Sequence, residues 1–117
     1  MNADAIDLPE FLERVQDDKE FLLELLDIYL KDYEKKRKAL NEVIAKKDYE
    51  ELRGIAHSLK GASGNISAKP IRAIFLKLEE MGKNGDATGA QQVLDDLDKS
   101  FKQLSLRIME LRKELRS

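Results

Sequence analysis

The chain has no cysteine, no tryptophan, one histidine and two prolines in 117 residues. Without cysteine there is no disulfide and no thiolate metal site, a composition that fits a reducing compartment. Zinc sites draw on several His or Cys ligands, and only one is on offer. No apolar run reaches the length of a membrane span. The start, Met1-Asn2-Ala3-Asp4, is acidic, against the pattern of a signal peptide. Scarce proline and little Val/Ile/Thr alternation leave small room for sheet. No charge sign dominates either: 21 basic against 23 acidic residues give a net −2. Such a balance gives no case for nucleic-acid binding. The expectation is one cytoplasmic domain over 1–117, long enough to bury a core.

What the chain does have is helical periodicity. Pro9 with Phe11, Leu12 and Val15 predicts a short first helix over about 8–15. Asp17, with Glu20 three residues on, reads as the N-cap of a second helix over about 18–46. Its stripe is Leu22, Leu25, Leu26, Tyr29, Tyr33, Leu40, Val43 and Ile44, with a gap at Lys36 and Arg37. Lys31 to Lys38 reads as a wet face whose cluster Lys35-Lys36-Arg37-Lys38 could meet an acidic partner. Asp48 to Glu51 reads as a capping box opening a third helix, about 48–66. Pro70 starts a fourth, about 70–83, with Gly82 or Gly85 suited to a left-handed C-cap. Asp86 is placed to cap the last, about 86–115. Short connections make consecutive helices antiparallel. The fold expected is all-α: an antiparallel up-down four-helix bundle with a short extra N-terminal helix.

The histidine, His57, lies in Ala56-His57-Ser58-Leu59-Lys60-Gly61-Ala62-Ser63-Gly64-Asn65. A helix turns about 100° per residue, which puts Leu52, Ile55 and Leu59 far around the axis from His57. Arg53, Gly54, Lys60, Gly61 and Gly64 fall within about 60° of it. The imidazole therefore shares a face with three glycines and two cations. Each glycine in a helix interior costs about 1 kcal/mol relative to alanine, and bare backbone permits close approach by another surface. One reading is a surface histidine beside tolerated glycines. The other is a nucleophilic imidazole on a cleared docking face, taking a phosphoryl group beside Lys60.

His57, Leu59, Lys60 and Gly61, followed by the small residues Ala62, Ser63 and Gly64, resemble the motif of the histidine phosphotransfer (HPt) family. Ser67-Ala68 stands where the family has Gly-Ala, and Leu78-Glu79 followed by Gly85-Asp86 extends the likeness, which runs from about Leu8 to Leu111. The resemblance implies a carrier, not an enzyme, accepting phosphoryl on His57 Nε2. The group would pass to or from a receiver-domain aspartate or come from a histidine kinase, the two expected partners. Lys60 would stabilise phosphoryl charge, Glu79 would hold the other ring nitrogen, and Gly61, Gly64, Gly54 and Arg53 would face the partner. An apolar docking patch would draw on Ile66, Ile71, Phe11 and Leu12, which fit the core equally well. No cofactor or metal of its own is expected, with Mg²⁺ on the receiver only. No nucleic-acid or membrane partner is expected, and the chain is expected to be a monomer.

Three alternatives compete. The first is the phosphoryl-accepting N-terminal domain of a chemotaxis-type histidine kinase, where a glutamate at position 79 is at home. The second is a helical adaptor without histidine chemistry. A version of it that binds RNA through Gly61-Ala62-Ser63-Gly64 as a KH-type loop would need strands. The third uses His57 as a general base, for which no nucleophile or acid is suitably spaced. An ATP site is excluded, because that glycine run lacks the phosphate-loop spacing and its Lys-Ser/Thr.

Overall fold

The computed structural model describes residues 2–116. They form a short 3-10 turn, Asn2–Ala5, and five helices: α1 Leu8–Arg14, α2 Lys19–Ala45, α3 Tyr49–Asn65, α4 Lys69–Asn84 and α5 Ala90–Arg116. No strand occurs among the described residues. The expected stripes meet in one core. Leu22, Leu26, Leu40, Leu52, Leu59, Phe75, Leu78, Leu97 and Leu111 are fully buried. α3 packs against α4 and α2, α5 packs against α4 and α2, and the 3-10 turn leans on α5.

Acidic caps set where the helices start. Asp7 accepts from the Glu10 amide, Asp18 from Phe21 and Asp48 from Glu51. Pro9 and Pro70 sit in the first turns of α1 and α4. Two expected caps are displaced. The N-cap of α2 is Asp18 and not Asp17, which takes φ +61° and belongs to the preceding turn. Asp86 does not cap α5. Its carboxylate accepts from the amide and hydroxyl of Thr88, and α5 begins only at Ala90.

The helix ends share one device. After α2, the Lys47 amide bonds Ile44 O and the Asp48 amide bonds Val43 O. After α3, Ser67 bonds Gly64 O and Ala68 bonds Ser63 O; after α4, Gly85 bonds Gly82 O and Asp86 bonds Met81 O. α1 ends the same way, with Gln16 on Glu13 O and Asp17 on Leu12 O. These paired bonds are Schellman closures, which need a left-handed residue. Gly85 supplies it after α4, but Gln16, Asp17, Lys47 and Ser67 do so elsewhere, with φ between +54° and +61°. Ser67 has a compensation, since its hydroxyl donates to Glu10 Oε1 at 2.8 Å and its carbonyl accepts the Asp7 amide at 2.9 Å. Lys47 is exposed and has none. Lys47→Gly is therefore expected to stabilise the fold by about 0.5–1 kcal/mol, read as a higher urea midpoint at constant m. A lower midpoint would refute this account of the turn.

Candidate functional site

α3 and α4 are held closely enough to share a site. A Cβ on Gly82 would lie 2.6 Å from Arg53 N, 2.8 Å from Arg53 Cα and 2.8 Å from Tyr49 O. Gly82 is thus a contact point between helices, and Gly85 alone is the left-handed C-cap. This approach brings Glu79 of α4 alongside the outer face of α3. Its Oε2 lies 2.5 Å from His57 Nδ1 and its Oε1 2.6 Å from Lys60 Nζ. The bond from Lys60, with a smaller contribution from His57, holds the Glu79 carboxyl below the usual glutamate range against an opposing effect of burial. Glu79 is thus ionised at neutral pH and accepts Nδ1–H from the ring. In the neutral form of the ring the lone pair then falls on Nε2. The His57 side chain is 67% exposed while Glu79 is 14% exposed. An anchored ring with its free nitrogen toward solvent can act as a nucleophile.

His57, Lys60 and Glu79 are therefore brought together. The glycines divide. A Cβ on Gly54 or Gly61 would meet nothing within 4 Å, whereas one on Gly64 would lie 3.3 Å from Arg72 Nε. Gly64 is half-buried under that arginine, so it is less open than the helical count implies. Arg53 is exposed on the same face. Three of the four apolar docking candidates prove to be core. Ile66, Ile71 and Phe11 are at most 2% exposed and belong to the core, and Leu12 packs partly buried against it. The large apolar side chains left outside include Ile28 on α2 and Leu76 on α4, the latter one turn before Glu79.

Three features beside the site escaped the sequence reading. Ser63 is fully buried. Its hydroxyl spends its one proton on Leu59 O at 2.7 Å, so Tyr29 of α2 donates to it at 2.8 Å. Burial pushes the Tyr29 phenol far up, which keeps it a donor. Ser58, next to His57, accepts from Lys36 Nζ at 2.6 Å, and the same ammonium bonds Asp32 at 2.9 Å. The basic cluster of α2 is consequently not one wet patch. Arg37 pairs with both oxygens of Asp98 on α5 at 2.9 and 3.1 Å, under a Tyr33–Phe101 stack with centroids 3.8 Å apart. Lys36 and Arg37 fasten α2 to its two neighbours, which explains the gap in the apolar stripe.

Among the described residues no group of three or more His, Cys, Asp or Glu could hold a metal ion. No described helix is long and apolar enough to cross a membrane. The chain matches no curated protein. It is similar in structure to histidine-containing phosphotransfer protein B (HptB) from Pseudomonas aeruginosa PAO1. The TM-score is 0.81 at 22% identity, over 96% of this chain and 95% of that one, a likeness of fold. The Hpt domain model matches residues 24–114, leaving α1 outside and taking in every residue of the His57 site. The chain belongs to the Hpt domain family.

Proposed function

We propose that His57 is the phosphoryl acceptor of a phosphorelay carrier in two-component signalling, without an ATP site or metal of its own. The observation that carries this is the 2.5 Å bond from Nδ1 to Glu79 on a ring otherwise open to solvent. The Nε2 lone pair attacks the phosphorus of a receiver's aspartyl phosphate. The N–P bond forms as the P–O bond to the aspartate breaks, and the carboxylate leaves with the electron pair. No proton has to move, because Nδ1–H stays on the ring and Glu79 faces the imidazolium that results. The reverse steps return the group to a receiver. Mg²⁺ on the receiver would neutralise the phosphoryl oxygens in flight, and a histidine kinase is the other source. Gly54 and Gly61 leave the approach clear, and Leu76 offers apolar contact beside it. In this reading residues 1–117 are a single domain, the four long helices an antiparallel up-down bundle with α1 added at its N-terminal side. It works as a monomer in the cytoplasm.

The test is transfer from a phosphorylated receiver with Mg²⁺, which is expected to leave acid-labile, base-stable phosphate on the chain. No such phosphate from any receiver or kinase of the source cell would refute the reading. Removing Glu79 frees the ring to rotate and strips the imidazolium of its counter-charge. Glu79→Ala is expected to slow transfer by about 10–100-fold, measured as the first-order rate within the receiver complex. An unchanged rate would leave Glu79 a bystander.

A further inference from the structure

In the resting site the charges near His57 already cancel. Glu79 carries one negative charge, and Lys60 matches it at 2.6 Å. A phosphoryl on Nε2 brings close to two negative charges, and the ring becomes cationic, so the site gains close to one net negative charge. Lys60 is engaged by the carboxylate that also holds the ring. Of the other cations, Lys36 is held by Asp32 and Ser58, and Arg72 lies over Gly64, two turns along α3 from His57.

We propose that Arg53 binds the phosphoryl oxygens of phosphorylated His57. This rests on the reading of His57 as acceptor. Arg53 lies one turn before His57 on the same face of α3, with the two Cβ atoms about 6 Å apart. Helical side chains tilt toward the N-terminus, so the imidazole leans over the turn that Arg53 opens. Gly54 stands beside that turn, and a Cβ there would touch nothing within 4 Å. The Arg53 backbone is pinned by Gly82, while its side chain is exposed and has no hydrogen bond or ion pair among the described residues. A guanidinium on a fixed base, with open space beside it, can present two parallel N–H donors to phosphoryl oxygens. Around this point α3 also carries Glu50 and Lys60, α4 carries Glu79, Glu80 and Lys83, and α2 carries Asp32 and Lys36. Lys83 and Arg72 are also exposed cations without a partner among the described residues, but both stand on α4, off the helix that bears His57.

The experiment loads the full chain with potassium phosphoramidate, so that docking to a receiver plays no part. The second ionisation of the phosphoryl group is then followed by ³¹P NMR through neutral pH. A nearby cation favours the dianion, so removing it raises the midpoint. Arg53→Ala is expected to raise it by about half a pH unit or more, with Arg53→Lys restoring part and Lys83→Ala leaving it in place. The proposal is overturned if Arg53→Ala titrates like the parent chain, or if Lys83→Ala moves the midpoint as far. Slower loading of Arg53→Ala from a receiver with an unmoved midpoint would make Arg53 a partner contact, which also overturns it. Failure of the parent chain to load from any phosphorylated receiver would instead count against His57 as a relay acceptor.

Discussion

His57→Gln is expected to give a folded chain that captures no phosphate from a receiver. The ring is 67% exposed and contributes one hydrogen bond to the fold, at its Nδ1. A glutamine amide can replace that bond to Glu79 but has no nucleophilic nitrogen lone pair. The loss of labelling should therefore be complete while the urea midpoint stays within about 0.5 kcal/mol of the parent. Ser58 is the nearest hydroxyl in sequence, and its bond from Lys36 makes it the natural fallback. Phosphate there would be an ester, stable to acid, so the label's chemistry separates the two. Acid-labile phosphate persisting on His57→Gln would refute the assignment.

Gly82→Ala is expected to cost about 2–3 kcal/mol, a large share of the roughly 5–15 kcal/mol that holds a domain together. The atoms in the way are Arg53 N and Cα and Tyr49 O, all backbone, at 2.6–2.8 Å. No rotamer change can clear them, so α3 and α4 must separate. That movement would pull Glu79 from His57 and Lys60, so transfer should slow along with the loss of stability. Gly54→Ala provides the contrast on the same helix pair. Its Cβ meets nothing within 4 Å, and alanine is the better helix former by about 1 kcal/mol. The two substitutions should shift the urea midpoint in opposite directions. A Gly82→Ala chain as stable as the parent would show that the helices are not in contact there.

Helix starts were legible because they carry local chemistry. Asp7, Asp18 and Asp48 hold amides within their own first turn, and Pro9 and Pro70 fix φ where no N–H is needed. Helix ends were less so, because Lys47, Ser67 and the pair Gln16-Asp17 take a conformation that sequence assigns to glycine. The choice of Asp17 over Asp18 failed for this reason: both are acidic, and only the Schellman closure of α1 decides which is free to cap. The glycine face around His57 was legible from helical arithmetic alone, and the family likeness added Glu79. The arithmetic could not show that Lys60 is bound to Glu79, that Arg72 covers Gly64, or that Gly82 serves packing and not a turn. Each depends on which helix lies alongside, which is set by the core as a whole. The same limit left Ile66, Ile71 and Phe11 undecided between docking patch and core, since apolar residues near a helix end look alike whether covered or bare.

The central claim is that Glu79 holds Nδ1 so that Nε2 of His57 takes the phosphoryl group. The most direct measurement is the one-bond coupling between ³¹P and imidazole ¹⁵N in ¹⁵N-labelled chain loaded by a phosphorylated receiver. The account predicts phosphorus bonded to Nε2 of His57 with the proton retained on Nδ1. Phosphorus on Nδ1, or on any residue other than His57, would contradict it.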